Sequence, residues 1–119
     1  MPPNTVLVPV PLTAQRLVER GYNQAALLAG SIARELGLEH RPQALRRLNQ
    51  ASHQVGANKT ARAQQVSGIF SANSRNIGDA EVVLVDDVVT TGATANACAA
   101  ALTAVGARFI AVAAIARVA

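Results

Sequence analysis

The densest set of chemically useful groups in this 119-residue chain lies at residues 82–94, VVLVDDVVTTGAT. Four aliphatic residues end in two adjacent carboxylates, Asp86 and Asp87. Two valines follow, and then Thr90, Thr91, Gly92, Ala93 and Thr94 lead into a helical stretch. A continuous aliphatic run of this kind belongs to a strand covered on both faces in a parallel sheet. Ligands of open α/β sheets bind beyond the carboxyl ends of such strands, where Asp86 and Asp87 are expected to open a turn over 86–92. Adjacent carboxylates at that edge suit two neighbouring hydroxyls, such as the 2′ and 3′ hydroxyls of a ribose. The Thr90–Thr94 stretch brings backbone N–H groups and three hydroxyls to a helix N-terminus, which makes a phosphate cradle. Gly92 lets the backbone approach closely and Ala93 keeps the floor small. A sugar phosphate satisfies both halves together. An isolated Asp-Asp pair would more often just end a strand, with Thr94 capping the helix; the complete thirteen-residue pattern is what favours a ligand. Neither a GxxxxGK[ST] loop nor a GxGxxG turn occurs in the chain.

The charge distribution agrees with an anionic ligand. The net charge is +4. Residues 1–78 carry nine Arg and Lys against three Glu, whereas residues 79–119 carry two Arg against four acids. From Arg41 to Arg62 there are five cations and no acid. A basic stretch feeding an acidic site suits an anion held with a metal ion, and it suits nucleic acid as well. Only Tyr22, Phe70 and Phe109 are aromatic, and their spacing forms no stacking platform for single-stranded nucleic acid.

The elements that must position these groups form a single α/β domain over residues 1–119. A chain of this length removes roughly 65% of its unfolded surface from water, enough to fold without staples. With 25 alanines, its core is one of small, closely approaching helices against aliphatic strands. One cysteine, Cys98, excludes a disulfide framework and reads as a small buried helix residue. The run at 5–11 predicts a buried strand closed by Pro9 and Pro11. Asn23 caps a helix that ends at Gly37. A weak strand is expected at 44–48 and another at 66–72, with a turn at 76–78. A helix is expected over 95–105, closed by Gly106, and a last buried strand over 109–115. Residues 49–65 lack any usable period and read as a long functional loop. Alternating elements of this kind give a mostly parallel sheet flanked by helices. No signal peptide and no membrane-length apolar run is visible, so a cytoplasmic location and no membrane partner are expected.

The 82–94 pattern resembles the 5-phosphoribosyl 1-diphosphate (PRPP) signature of type I phosphoribosyltransferases. Two further stretches resemble the ComF, competence-associated members of that class. One is VPVPLTAQRLVERGYNQAALLA at 8–29, through Pro9, Pro11, Arg20, Gly21, Asn23, Gln24, Leu28 and Ala29. The other is RRLNQASHQVGANKTARAQQVSGIF at 46–70, through Arg47, Gln54, Arg62, Gly68 and Phe70. Ala51, Ala57 and Gln65 depart from the family's usual residues, all within the loop. The cysteine-rich zinc ribbon that many members carry at the N-terminus has no counterpart in this sequence.

The resemblance implies a type I phosphoribosyltransferase-like, Rossmann-type fold with a flexible loop at about 49–65. It implies transfer of phosphoribosyl from PRPP to a nitrogen nucleophile, with release of pyrophosphate. In that mapping Asp86 and Asp87 hold the ribose hydroxyls and meet Mg²⁺ through water. Thr90, Thr91, Gly92, Ala93 and Thr94 hold the 5-phosphate. Leu12, Thr13, Arg16 and Arg20 take the diphosphate, and Lys59 and Arg62 reach it from the loop as it closes. Read from spacing alone, a diphosphate role for Arg16 and Arg20 is evenly balanced against a pair with Glu19 or a solvated helix face. Arg46 and Arg47 are balanced between solvated strand-end charges and a role in the site. His53, His40 and Tyr22 read as surface or packing residues. The same resemblance allows a non-catalytic accessory of DNA uptake working with competence proteins; the basic 41–62 stretch is compatible with single-stranded DNA contact, and a homodimer is left open.

Overall fold

The computed structural model describes residues 4–48, 69–89, 92–108 and 110–117. In chain order the elements are β1 (Thr5–Pro9), α1 (Ala14–Arg20), α2 (Gln24–Leu36), β2 (Glu39–His40), β3 (Leu45–Arg47), β4 (Phe70–Ala72), α3 (Ser74–Ile77), β5 (Glu81–Val89), α4 (Ala93–Ala104) and β6 (Ile110–Arg117). β2, β1, β5 and β6 form a parallel four-stranded sheet in that spatial order. β3 and β4 form a separate antiparallel ribbon. This is the α/β architecture expected, with a parallel central sheet and helices on both faces.

Alternation along the strands divides the core in two. Val6, Val8, Val82 and Leu84 pack beneath Cys98 and Leu102 of α4, and the ribbon joins this side through Leu45 and Phe70. Leu7 and Val85 turn the other way, onto Ala29 and Ala33 of α2. Alanine on the buried stripe of α2 lets its backbone lie close to the sheet. Leu84 and Leu102 are fully buried, and each contributes about 1.5–3 kcal/mol of transfer free energy.

Both ends of α2 are as expected. The Asn23 side chain accepts from the Ala26 amide, and Gly37 closes the helix in the left-handed region at φ +69°. The structure departs from the sequence reading in several places. The last strand, expected to be buried, has no buried side chain over 110–114, and Val112 is 47% exposed. The chain does not turn at Asp86; β5 continues through both acids to Val89, because β6 pairs with it as far as Arg117. α4 starts at Ala93 with Gly92 at the N-cap, so Thr94 lies inside the first turn and does not cap. The turn at 76–78 is preceded by a short helix, α3. Finally, α1 and the two-residue β2 are additional elements. The loop at 49–65, the first part of the strand expected at 66–72, and Phe109 lie outside the described residues. No helix among the described residues is long and apolar enough to cross a membrane.

Candidate functional site

The strand order places a topological switch point between β1 and β5. From β1 the chain crosses through α1 and α2 to β2 on one side; from β5 it crosses through α4 to β6 on the other. Opposed crossovers leave a crevice at the carboxyl ends of the two central strands, which is where open α/β sheets bind ligands. The pairing of β1 with β5 stops at Pro9 opposite Val85. One further backbone bond, from the Val10 amide to the Val85 carbonyl at 2.9 Å, ends the contact. Asp86 and Asp87 are therefore still in a strand, but on a stretch whose β1 neighbour has left. A cleft of about 160 Å³ opens there, and Leu12, Arg16, Arg20, Asp86, Asp87 and Thr94 are among the residues lining it.

Successive strand residues face opposite sides of a sheet. Asp86 shares the face of Leu84, beneath α4, and Asp87 shares the face of Val85. Their environments differ accordingly. Asp87 meets Arg20, with Oδ2 3.5 Å from Nη1. Burial raises the Asp86 carboxyl above the usual carboxylate range, and the neighbouring Asp87 carboxyl raises it further. The Asp87 amide, which donates to Asp86 Oδ1 at 2.8 Å, works in the other direction. The charge of Asp86 also reaches Cys98. Burial first and Asp86 second push that thiol up to about 12, and Arg47 opposes them.

The opposite wall comes from the loop after β1 and from α1. Thr13 spends its hydroxyl on the helix, accepting from the Arg16 amide at 3.1 Å, so it acts as the N-cap of α1. α1 buries none of its residues. Its cations nevertheless turn to the cleft: Arg20 pairs with Asp87, while Glu19 accepts from Gln15. Asn23 caps α2 with its oxygen and donates its Nδ2 to the Val10 carbonyl at 3.1 Å, which fixes where the loop leaves β1. Gly92, at φ +84°, turns the chain into α4 without a side-chain cap on that helix.

Of the residues singled out from sequence, the structure gathers Leu12, Arg16, Arg20, Asp86, Asp87 and Thr94 around one cleft. Thr13, Gly92 and Ala93 are their structural neighbours. Lys59, Arg62, Thr90 and Thr91 lie outside the described residues. Cleft residues to which the sequence assigns no site role include Asn23, which reads as a cap, Gln24, and Arg47, which reads as balanced between surface and site. A larger depression of about 610 Å³ lies at the amino ends of the strands, near Asn4 and Gly37. Within its lining Arg41 pairs with Glu39 at 2.7 Å, and its Asp79 pairs with Arg108 at 3.6 Å.

A parallel sheet with its cleft at the β1/β5 switch point, an acid pair on β5 and a glycine turn into the next helix defines a phosphoribosyltransferase fold. The chain belongs to the phosphoribosyl transferase domain family, whose model matches residues 23–119. Among curated proteins it is 39% identical over 92 residues to Competence protein F of Haemophilus influenzae, covering 76% of this chain and 40% of that protein. It is 40% identical over 97 residues to Competence protein ComFC of Bacillus subtilis, covering 82% of this chain and 38% of that protein. It thus spans about two fifths of the length of these relatives. Solved structures share the fold. The allosteric regulatory enzyme of purine biosynthesis matches with a TM-score of 0.65 at 21% identity, over 92% of this chain and 21% of that one. The glutamine PRPP amidotransferase of B. subtilis, complexed with ADP and GMP, matches with a TM-score of 0.63 at 19% identity, over 93% and 22%.

Proposed function

We propose that this domain binds PRPP in the β1/β5 cleft and transfers its phosphoribosyl group to a nitrogen nucleophile. The C1–O bond to the diphosphate breaks, a C1–N bond forms, pyrophosphate leaves, and the nucleophile gives up a proton. The observation that carries this reading is the meeting of Asp86 and Asp87 with Arg16, Arg20 and Thr94 around one cleft at the switch point. Asp86 and Asp87 accept from the ribose hydroxyls, and the Gly92–Thr94 turn, with Thr90 and Thr91, receives the 5-phosphate. The loop at Leu12–Thr13, with Arg16 and Arg20, takes the diphosphate, and Lys59 and Arg62 reach it from the 49–65 segment. Such a transfer passes through an oxocarbenium-like transition state, so positioning and fixed charge are the protein's main contributions.

Mg²⁺ would neutralise the leaving diphosphate. No group of three or more His, Cys, Asp or Glu among the described residues makes a metal cage. Two adjacent carboxylates suit a hard cation that keeps its waters and draws its other oxygens from the substrate. Asp86 and Asp87 fit it in that manner only, through water and together with bound PRPP.

Calorimetric titration with PRPP and with ribose 5-phosphate, each with and without Mg²⁺, tests the reading. PRPP is expected to bind with Mg²⁺ dependence and ribose 5-phosphate without it. Lys59→Ala with Arg62→Ala is expected to weaken PRPP while sparing ribose 5-phosphate. Absence of binding at millimolar ligand would remove the proposal. The names of the two competence relatives favour a second reading, a PRPP-fold accessory of DNA uptake that does not catalyse transfer. Binding of PRPP with no pyrophosphate release across a panel of amines and bases would favour it.

A further inference from the structure

The β3–β4 ribbon carries an arginine on its inward face. Leu45 is buried, Arg46 is exposed and Arg47 is partly buried, so Arg47 returns to the side that Leu45 packs against α4. In the register of the ribbon Arg47 stands opposite Phe70, and its guanidinium carbon lies 5.1 Å from the centroid of that ring. The Nε atom is buried and has no hydrogen-bond partner among the described residues. Arg47 also lines the cleft that holds Asp86, Asp87 and Thr94, and its charge is felt at Cys98, one turn beyond Thr94 on α4.

These features separate two neighbouring cations that the sequence could not. Arg46 is a solvated strand charge. Arg47 is partly buried, carries its guanidinium over the Phe70 ring, and lines a cleft read as a phosphate site. A buried guanidinium N–H without an acceptor is costly, and the planar guanidinium fork is suited to phosphoryl oxygens. We infer that Arg47 is a ligand-binding residue of this cleft, donating from its guanidinium to a phosphoryl group of the bound sugar phosphate. The inference rests on the PRPP reading above and adds a third wall, the ribbon, to a site otherwise built from β1, β5 and their helices. The 5-phosphate and the diphosphate are the two phosphoryl groups available, and the choice between them is left to the experiment.

Wild type and Arg47→Gln are titrated calorimetrically with ribose 5-phosphate, with Mg²⁺-pyrophosphate and with Mg²⁺-PRPP. Loss of one charge-assisted contact is expected to weaken PRPP by about tenfold to a hundredfold. Arg47→Gln is also expected to weaken one partial ligand and spare the other, and the ligand affected names the phosphoryl group. Equal affinity of wild type and variant for all three ligands overturns the role of Arg47 and leaves PRPP binding standing. Failure of the wild type to bind any of them overturns both. Should Arg47→Gln not fold, the wild-type protein still decides by nitrogen–proton NMR. The Arg47 Nε–H resonance, assigned by its disappearance in Arg47→Lys, is expected to shift at saturating PRPP, and a resonance that stays in place overturns the inference.

Discussion

Arg20 Nη1 lies 3.5 Å from Asp87 Oδ2, so a cation suited to a diphosphate and a carboxylate suited to ribose hydroxyls face each other across the cleft. The two side chains are 44% and 31% exposed, and pairs this wet contribute about 0–1 kcal/mol to folding. The bridge therefore holds α1 over the site only loosely. A ligand that offers phosphoryl oxygens to Arg20 and hydroxyls to Asp87 replaces one weak pair with two charge-assisted sets of hydrogen bonds.

A double-mutant cycle separates the two roles. Arg20→Gln, Asp87→Asn and the double variant are expected to show a coupling below about 1 kcal/mol in urea unfolding. Each single variant is expected to lower PRPP affinity by about tenfold or more, as loss of a charged partner does. A coupling of several kcal/mol in stability, with binding intact, would make the pair a structural tie.

Asp86 gives a prediction with a sign. Its carboxyl is raised above the ordinary 3.8, chiefly by burial. A group raised in the folded protein favours folding while protonated, below its ordinary value, and that favour is lost as pH rises through the raised value. At neutral pH the charged Asp86 is thus a burden that Asp86→Asn relieves. The variant is expected to be more stable than wild type at pH 7, by less than about 1 kcal/mol given the partial exposure of the group. The advantage should shrink on acidification toward pH 3.8, while ribose 5-phosphate binding falls at every pH. Thermal unfolding across pH 3.5–7.5, paired with calorimetry, checks both parts. Lower stability of Asp86→Asn at pH 7 would place the carboxylate among the structural supports.

The sequence disclosed the sheet strands and α2 because their burial is written in residue type. Val82–Val85 and Val6–Pro9 carry no polar residue and lie in strands covered on both faces, and the Asn23 and Gly37 caps bracket a stripe of small residues. α1 is not legible by period, since it buries nothing; only Thr13 and Gly21, with seven residues between them, mark its ends. The continuation of β5 through Asp86 and Asp87 depends on pairing with β6, some 28 residues away, and no local signal records it. Arg47 was ambiguous for the same reason. Its side of the ribbon is fixed by the antiparallel partner, Phe70.

Cys98 is fully buried on α4, and its thiol is pushed up to about 12. The native thiol is expected to resist aromatic disulfide reagents at pH 8 and to react promptly once urea unfolds the chain. Because the raised value favours the neutral thiol in the folded protein, stability should decline from about pH 9, where the unfolded thiol ionises, upward toward the raised value. Cys98→Ala is expected to flatten that alkaline decline at the cost of a small cavity. Rapid native reaction at pH 8 would show that α4 opens beside the Thr94 end of the cleft.

Asn23 couples the fold to the site with two hydrogen bonds, and they can be removed separately. Its oxygen accepts from the Ala26 amide at 3.2 Å, and its Nδ2 donates to the Val10 carbonyl at 3.1 Å. The Val10 amide is held in turn by the Val85 carbonyl at 2.9 Å. Val10 is therefore pinned from both sides just before Pro11 and Leu12 enter the cleft wall. Asn23→Ala removes the cap and the tie together and is expected to cost about 1–2 kcal/mol in unfolding. Asn23→Ser keeps an oxygen that caps the helix but lacks the amide donor, so it should recover more than half of that loss. PRPP affinity should not recover with it. Both variants are expected to bind about fivefold more weakly than wild type, the equivalent of one hydrogen bond, because the loop from Val10 to Leu12 has lost its anchor in each. Urea unfolding and calorimetry on the same three proteins make the comparison. Affinity that rises with stability in Asn23→Ser would reduce Asn23 to a helix cap.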